Sequence, residues 1–388
     1  MFDLLSISND TARIVVFGVG GCGCNTINQL SQSNVNDQIQ LVAVNTDIQS
    51  LSSAQCCTRL QIGIETTKGL GAGAKPQKGF EAAQESVVEI KELIEQADIL
   101  FITGGMGGGT GTGAIPFMAA IAAELNKPLV VVVTTPFTFE GHQRRRVAEE
   151  GIQQLMQYSN AVIVLPNDKL VQTLDANISL VDAFFTSNRI LQDVIHGMTT
   201  TISKSGLINI DLNDFIAVVS HPGRAAMGVA RQFEGRDLQM TISDALQNPL
   251  LEEIDLTKAK GVIVSVVATQ AIELSQYHKI GETLHQQLDP NAVVIIGLTI
   301  VPELECELEL MLIATGIDVL PENAHTAENS YPKTLVRERF NPSELLNIHD
   351  FLDKHSGPIR NGFTQCNTAL EQSSNLDIPT YTRHKKLN

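Results

Sequence analysis

The sequence predicts an α/β protein built on a parallel sheet with helices on both faces. Short apolar runs recur along the first half of the chain, and each is followed by glycine or by a polar turn. The runs are continuous rather than alternating, which is typical of strands buried on both faces. Helix-like stretches lie between them, and this repeat of strand, turn and helix indicates a parallel sheet. The predicted strands are Arg13–Phe17, Leu41–Val44, Ile99–Ile102, Leu129–Val133, Ala161–Leu165 and Phe215–Val219.

Helices are predicted in the connections, and the pattern then changes in the second half of the chain. Pro76–Gln96, Thr112–Leu125 and Arg144–Tyr158 show helical periodicity, and a long central helix is predicted from Leu180 to Lys204. Beyond it, the runs indicate a second, smaller α/β domain. Its strands are predicted at Val262–Ala268, Ala292–Ile300 and Leu308–Ala314, with a helix at Ile272–Leu288.

The chain after Pro321 loses its periodicity, which predicts a flexible C-terminal tail. Prolines punctuate a polar stretch, and Gln365–Asn375 is nearly all small or polar. Ser343–Lys354 is an exception, because three of its apolar residues recur at helical spacing. We expect this stretch to form a helix on binding a partner.

Charge and composition exclude several classes of protein. The 388 residues carry 27 basic and 43 acidic side chains, a net charge of −16. A nucleic-acid binder needs a basic surface, so this balance argues against one. No apolar run approaches the roughly 18–20 residues that span a bilayer, and Met1–Asp10 lacks the features of a signal peptide. We therefore expect a cytoplasmic protein with no membrane insertion.

The cysteine pattern gives little support to a zinc or redox site. No two cysteines form a C-x-x-C pair, so we expect reduced thiols. The six are Cys22, Cys24, Cys56, Cys57, Cys306 and Cys366.

Glycine is concentrated between Gly104 and Gly113, where seven of the ten residues are glycine. Such a stretch is costly to order and buries no side chain, so a packed core has no use for it. It suits a loop whose backbone N–H groups surround an anion, most often phosphate. Two further glycine clusters lie at Gly18–Asn25 and Thr67–Ala74.

The number of glycine loops bears on the kind of nucleotide. Gly18–Asn25 after the first strand and Asp47 after the second are compatible with an NAD-dependent oxidoreductase. Such a protein needs one phosphate loop, whereas three loops at successive strand ends would enclose a triphosphate. The chain has no G-x-x-x-x-G-K-[ST] motif, which excludes a P-loop NTPase.

The segment Gly105–Gly113 resembles the signature of the tubulin/FtsZ GTPase family, and in particular its bacterial cell-division branch. The resemblance covers residues 11–318 in family order and a short piece near the C-terminus. The other matching segments are Ala43–Asp47, Thr67–Ala74, Pro136–Gly141, Pro166–Leu170, Asp182–Phe184, Asn209–Asp214, Pro249–Asp255 and Ala314–Ile317.

This resemblance implies a Mg²⁺-dependent GTPase that polymerises into head-to-tail filaments and scaffolds the bacterial division ring at mid-cell. It also implies a GTP-binding domain at 1–178, a central helix at 179–205, a C-terminal α/β domain at 206–320, a flexible linker at 321–374 and a partner-binding peptide at 375–388. Two alternatives stay open besides the oxidoreductase. One is a diverged paralogue that binds GTP without driving division, and the other is a structural filament protein with GTP as a static ligand.

The resemblance assigns nucleotide-binding residues. Phosphates would be held mainly by the backbone N–H groups of Gly21, Cys22, Gly23, Cys24, Asn25, Gly73, Gly107, Gly108, Gly109, Thr110 and Gly111. Glu140 and Arg144 would contact the ribose and the α-phosphate side, Phe184 would stack on guanine, Asn188 would read its edge, and Asn167 would orient the nucleoside. Taken alone, Glu140 and Arg144 equally indicate an ion pair four residues apart.

The resemblance places catalysis at Asn209, Asp211 and Asp214. In this family the loop enters the site of the next subunit, where the two aspartates polarise the attacking water, and hydrolysis requires head-to-tail contact. Taken alone, Asp211 and Asp214 favour the start of a helix, with Asp211 as the N-cap.

Cys22 and Cys24 depart from the family pattern, because glycine is usual at both positions. A side chain there would be costly at positive φ, so we expect negative φ at both and intact nucleotide binding. We also expect that oxidation of a thiol beside the phosphates would block binding. His221–Arg224 departs from the family as well, near the expected subunit contact, where it bears on filament strength.

The segment Asp377–Arg383 resembles the tail peptide by which the family binds membrane tethers of the FtsA and ZipA type. Tyr381 and Thr382 stand where phenylalanine and leucine are usual. Loss of a buried leucine would weaken tether binding by ~1–3 kcal/mol.

Overall fold

A single mixed sheet runs through the residues that the computed structural model describes. These are residues 12–32, 39–56, 58–172, 178–203, 207–221, 224–248, 250–251, 255–302, 304, 306–317 and 363–365. The strands within them are β1 (Ile14–Val19), β2 (Ile39–Asn45), β3 (Thr58–Gln61), β4 (Ile99–Gly105), β5 (Leu129–Thr135), β6 (Ala161–Pro166), β7 (Arg224–Gln232), β8 (Gly261–Ala268), β9 (Val293–Ile300), β10 (Leu308–Ile317) and β11 (Phe363–Gln365).

Helices occupy most of the connections between the parallel strands. In the described residues they are α1 (Gly20–Gln32), α2 (Ile48–Ser52), α3 (Ile64–Thr67), α4 (Pro76–Glu85), α5 (Val87–Glu95), α6 (Thr110–Glu124), α7 (His142–Leu155), α8 (Asn167–Gln172), α9 (Leu180–Ser203), α10 (Leu212–Val219), α11 (Leu238–Leu246) and α12 (Leu274–His285). None of these helices is both long and apolar enough to cross a membrane.

The strand order is β11-β3-β2-β1-β4-β5-β6-β7-β10-β8-β9. Every pairing from β3 to β7 in this order is parallel, whereas β10 is antiparallel to β7 and β8. Because the carboxyl ends of parallel strands meet at one edge of a sheet, the loops after β1, β2, β4 and β5 lie along the same edge. Strands β10, β8 and β9 join the parallel strands through β7, which pairs with β6. All of them therefore belong to one sheet.

Strand β1 contributes side chains to two separate apolar cores, one on each face of the sheet. All six residues of β1 are buried. Val15, Phe17 and Val19 belong to one apolar cluster, and Ile14 and Val16 belong to the other. Full burial of each such side chain contributes about 1.5–3 kcal/mol, so layers on both faces hold the strand. The prediction of strands buried on both faces is confirmed.

One of the predicted strands is wrong. Phe215–Val219 is not a strand but the second half of α10. The carboxylate of Asp211 accepts the N–H of Asp214 and starts the helix, and Phe215, Val218 and Val219 then face the core. A run of five apolar residues fits either element, and here the cap decides in favour of a helix.

The other predicted elements are confirmed with shifted ends, except that Pro76–Gln96 forms two helices, α4 and α5, which meet at Ser86. The domain limits stay predictions. Ser343–Lys354 and Asp377–Arg383 lie outside the described residues, as does most of 318–388. Within the predicted linker, Phe363–Gln365 forms the short strand β11 on the edge of the sheet beside β3.

Helix α9 is the predicted central helix. Its 24 residues correspond to about 36 Å of rise. Leu191, Val194, Ile195 and Met198 bury one face against the sheet. Arg231 of β7 donates to Asp193 on α9 at 3.3 Å and to Glu309 on β10 at 2.7 Å. These two bonds connect the helix to strands β7 and β10.

Candidate nucleotide site

Two helix N-termini open at the carboxyl edge of the sheet. Helix α1 begins at Gly20 directly after β1, and α6 begins at Thr110 after β4. These strands are neighbours, with Val19 paired to Gly104. Neither helix has an acidic residue in its first turn, and no side chain caps α6. The first-turn N–H groups and the positive ends of both helix dipoles therefore favour an anion between them.

The three glycine loops converge at this edge. A Cβ on Gly20, which has a φ of +74°, would lie 3.3 Å from the N of Gly111, so the first and second loops touch. A Cβ on Gly109 would lie 2.8 Å from the Cβ of Ala72, so the third loop touches the second. The hydroxyl oxygens of Thr46 and Thr110 are 2.7 Å apart. The three loops and Thr46 therefore meet at one place along this edge.

Glycines of these loops fall into two groups. A Cβ on Gly23 or Gly111 would lie 2.6 Å or 2.5 Å from backbone atoms, so these two glycines are required by packing. A Cβ on Gly21, Gly73 or Gly108 would meet nothing within 4 Å. The second group therefore borders open space, as expected of loops that surround a ligand.

The first turns of α9 reach the start of α1. The thiol of Cys22 donates to Oδ1 of Asn188 at 3.3 Å. One turn earlier, Phe184 is 38% exposed and stands edge-on to Phe137, with ring centroids 5.1 Å apart. A partly exposed aromatic ring beside an amide is suited to a planar base. Asn167 is buried and accepts from the hydroxyl of Ser187.

Glu140 and Arg144 form the ion pair that their spacing predicts. Arg144 donates to Oε2 of Glu140 at 2.6 Å, and Oε1 of Glu140 accepts the N–H of Phe137 at 3.0 Å. The carboxylate of Glu140 thus holds the turn that contains Phe137. The Arg144 side chain is 51% exposed. Direct contact of either residue with a nucleotide stays a prediction.

Both unusual cysteines lie in the first turns of α1, and neither has a positive φ, which confirms the expected conformation. Burial raises the pKa of Cys22 to about 11; the nearby charge of Glu140 also raises it, and the Thr134 hydroxyl lowers it. Burial likewise raises the pKa of Cys24 to about 12. Both thiols therefore stay protonated at neutral pH. Since oxidation proceeds through the thiolate, it is expected to be slow, and its effect on nucleotide binding stays a prediction.

Iodoacetamide is expected to alkylate Cys22 about 100-fold more slowly in the folded chain than in the urea-unfolded chain at about pH 8. The thiol pKa is 9.0 when exposed and about 11 when folded, so the thiolate fraction differs by about two powers of ten. The same shift stabilises the fold below pH 9.0, and this contribution is lost as pH rises towards about 11. Peptide mass spectrometry would give the rate, with Cys22→Ser confirming the peptide. Equal rates in both states would contradict the shifted pKa.

The residues predicted to be catalytic lie away from the glycine loops. Asn209, Asp211 and Asp214 are exposed, and Asp211 caps α10 as the helix-start interpretation predicts. They follow the far end of α9, and Ser203 lies fifteen positions after Asn188, which corresponds to about 22 Å of rise. Among the described residues, no hydrogen bond or ion pair joins either aspartate to the glycine loops.

His221, the first residue of the unusual His221–Arg224 segment, lies near the end of α10. Its Nδ1 lies 3.0 Å from the carbonyl oxygen of Val218. Pro222 and Gly223 lie outside the described residues. The effect of this segment on filament strength stays a prediction.

Comparison with known proteins identifies the family. The model of the Tubulin/FtsZ family GTPase domain matches residues 13–175, and that of the FtsZ family C-terminal domain matches residues 223–318. Cell division protein FtsZ of Buchnera aphidicola subsp. Baizongia pistaciae is 36% identical over 99% of this chain and 100% of the relative. The chain belongs to the FtsZ family. FtsZ of Coxiella burnetii is 40% identical over 82% of each chain.

A solved FtsZ structure supports the same assignment. The structure described as an empty FtsZ dimer from M. jannaschii is 35% identical, with a TM-score of 0.76, and covers 84% of this chain and 96% of that one. This FtsZ-family chain therefore carries a GTPase domain, which implies binding of a guanine nucleotide. The oxidoreductase alternative is not favoured, because the matched GTPase domain contains all three loops.

Two residues that the sequence did not predict contact residues assigned to the nucleotide. Thr46 contacts Thr110 between the loops, and Phe137 supports Phe184. Thr46 belongs to the matching segment Ala43–Asp47, so its position directly after a buried strand was an available signal. Phe137 likewise belongs to a matching segment, Pro136–Gly141, but its ring contact with Phe184 joins distant segments and could not be predicted from the sequence.

Proposed function

We propose that this chain is an FtsZ-type GTPase that polymerises head to tail, hydrolyses GTP at the contact between subunits and scaffolds the bacterial division ring. The observation that carries the proposal is the position of the two halves of the site. One end of α9 meets the cradle formed by the three glycine loops, and the other end leads to exposed carboxylates on Asp211 and Asp214. A second copy stacked on the first would bring its carboxylates to the cradle of its neighbour.

The chemistry assigned to these groups follows from the needs of phosphoryl transfer. Positioning and electrostatic stabilisation dominate that reaction, and the first-turn amides of α1 and α6 would hold the phosphates. Asp211 and Asp214 would orient and polarise the attacking water, with Asn209 beside them. Because the N-cap bond fixes the carboxylate of Asp211, that group is pre-positioned before contact.

Mg²⁺ fits this site as a partner of the phosphates. The ion is bound by one or two protein oxygens together with phosphate oxygens and water. The hydroxyls of Thr46 and Thr110 supply hard oxygen donors at the junction of the loops. Among the described residues, no cluster of three or more His, Cys, Asp or Glu could hold a metal ion. When bound, the ion would neutralise charge developing on the phosphates.

The proposal includes a location and partners. The resemblance of Asp377–Arg383 to a tether-binding peptide supports attachment to FtsA- or ZipA-type proteins and a place in the cytoplasm at mid-cell. That peptide lies outside the described residues, so its support comes from the sequence alone.

The GTPase rate per subunit is expected to collapse below a threshold protein concentration. A site completed by a second copy turns over only when copies meet, whereas GTP binding needs one copy. The measurement is phosphate release against protein concentration, with binding of a fluorescent GTP analogue followed in the same samples. Binding is expected to persist below the threshold. Release strictly proportional to protein from the lowest concentration would contradict the shared site, and binding without release at any concentration would favour a static ligand.

A further inference from the structure

The side chain of Cys22 connects two elements of the candidate nucleotide site. Cys22 lies in the first turn of α1, and its Sγ is 3.3 Å from Oδ1 of Asn188 on α9. The resemblance to the family assigns the edge of the base to Asn188, but it gives Cys22 a backbone contact with phosphate only. Glycine is usual in the family at this position, and a chain with glycine there cannot make the contact with Asn188.

The ends of two strands confine the Cys22 side chain. Oγ1 of Thr134, at the end of β5, lies 3.9 Å from Sγ of Cys22. A Cβ on Gly105, at the end of β4, would lie 3.1 Å from the Cβ of Cys22 and 3.6 Å from its Sγ. A side chain that is packed in this way has few rotamers open to it. The thiol is therefore directed at Asn188 before any nucleotide binds.

The thiol is the donor in its hydrogen bond with Asn188. Burial raises the pKa of Cys22 to about 11, although the Thr134 hydroxyl lowers it, so the thiol keeps its proton at neutral pH. The hydroxyl of Thr134 can donate to the sulfur, which leaves the single S–H hydrogen for the amide oxygen. An amide oxygen is also a better acceptor than sulfur. Oδ1 of Asn188 therefore faces Cys22, and Nδ2 points away from it.

This orientation leaves the two N–H groups of the Asn188 amide and one lone pair of its oxygen for a ligand. Among the described residues, Nδ2 of Asn188 has no hydrogen-bond partner. Guanine presents the acceptor O6 beside the donor N1–H, whereas adenine presents a donor amine beside the acceptor N1. The two bases therefore need opposite orders of donor and acceptor from one amide. An amide that is held in one orientation discriminates between them, and an amide that flips freely does not.

A second amide is held through its oxygen beside the first. Ser187 directly precedes Asn188 on α9, and its hydroxyl donates to Oδ1 of Asn167, the first residue of α8, at 2.7 Å. Asn167 is 5% exposed, and within the described part of the chain its Nδ2 also has no hydrogen-bond partner. A buried donor without a partner is costly. The two amides together therefore indicate a ligand that carries acceptor atoms.

We propose that Cys22 is a positioning residue for recognition of the base, whose thiol holds the Asn188 amide with its N–H groups directed at the keto group of guanine. This role rests on the proposed function, because it needs a guanine nucleotide at the glycine loops. Without the thiol, the nucleotide itself has to order the amide, and part of the binding free energy is lost to that ordering. With the thiol, the amide is ordered in advance.

The test compares GTP with the triphosphate of 2-aminopurine riboside, which lacks O6 and the N1 proton. Competition against a fluorescent GTP analogue on the full-length chain gives the ratio of the two affinities, which does not depend on the fraction of folded protein. We expect the unmodified chain to prefer GTP. In Cys22→Ala this preference should fall about three- to tenfold, the equivalent of one neutral hydrogen bond. Cys22→Ser keeps a donor at the same position and should retain most of the preference.

The outcomes separate this role from the proposed function. An unchanged preference in Cys22→Ala, or no preference for GTP in the unmodified chain, would overturn the positioning role and leave GTP binding in place. An equal loss in Cys22→Ser and Cys22→Ala would overturn it as well, because the effect would then come from the size of the sulfur and not from its hydrogen. Failure of the unmodified chain to bind GTP would contradict the proposed function and this role with it.

Discussion

Asp214→Asn is expected to lower GTP turnover by about 10²–10⁴-fold, the range for losing a group that directs proton transfer, while GTP binding stays unchanged. The carboxylate of Asp214 is exposed and lies beyond the far end of α9 from the glycine loops, so its loss does not disturb the cradle of its own chain. Phosphate release and binding of a GTP analogue, measured on the same preparation, would separate the two effects.

At Asp211, too, asparagine is the replacement that separates loss of the carboxylate from loss of the helix cap. The carboxylate there caps α10, and alanine would remove that cap at a cost of about 0.5–2 kcal/mol, whereas asparagine caps equally well. Asp237→Asn is the matched control, because Asp237 caps α11 in the same way. If all three asparagine variants kept full turnover, the assignment of Asp211 and Asp214 would be wrong.

The second large effect is expected at glycines that border open space. Gly108→Ala and Gly21→Ala should each weaken GTP binding about 10–100-fold, the equivalent of one or more hydrogen bonds to a charged phosphate, and leave the melting temperature unchanged. Neither position has a positive φ, and an added Cβ meets nothing within 4 Å in the chain itself. The methyl group would therefore meet only the ligand.

Gly23→Ala is the contrasting variant for this prediction. A Cβ there would lie 2.6 Å from the carbonyl carbon of Gly18 and 2.7 Å from the carbonyl oxygen of Thr103, so we expect about 1–3 kcal/mol or more of lost stability. Calorimetry and titration with a GTP analogue would distinguish the two classes. Normal affinity in both Gly21→Ala and Gly108→Ala would show that the phosphates do not lie against these loops.

The two kinds of variant together test the shared site. Asp214→Asn binds GTP without the catalytic carboxylate, and Gly108→Ala keeps the carboxylate without binding GTP tightly. A mixture should release phosphate faster than the sum of the separate samples, because the carboxylate of one copy meets the nucleotide of the other. Activity equal to the sum at every concentration would place both functions in one chain.

The sequence was sufficient for the parts of the fold that local patterns specify. Continuous apolar runs predicted β1, β2, β4, β5 and β6, because strands buried on both faces leave no polar alternation. The same rule failed at Phe215–Val219, where five apolar residues satisfy either a strand or a buried helix. Asp211 held the deciding information, because an N-cap at that position starts a helix that runs through these residues.

Contacts between segments that are distant along the chain could not be predicted from the sequence. The hydrogen bond from Cys22 to Asn188 joins residues 166 positions apart, and the contact of Thr46 with Thr110 joins residues 64 apart. Strand β7 was missed, since the run between Arg224 and Arg231 consists mainly of alanine and glycine, which have low strand propensity. Arg231 is accommodated there by Asp193 and Glu309, which come from two other elements.

If copies stack as proposed, the placement of the cradle and the carboxylates at opposite ends of α9 also determines how many nucleotides in a row of copies can react. A row of n copies has n−1 contacts, so one nucleotide always lacks carboxylates across from it. That nucleotide sits in the terminal copy whose glycine loops face solvent. That nucleotide stays a triphosphate for as long as the row exists. The opposite terminus exposes carboxylates and no phosphate. The two termini therefore differ chemically at all times, and the unreactive share of nucleotide falls as 1/n as the row lengthens.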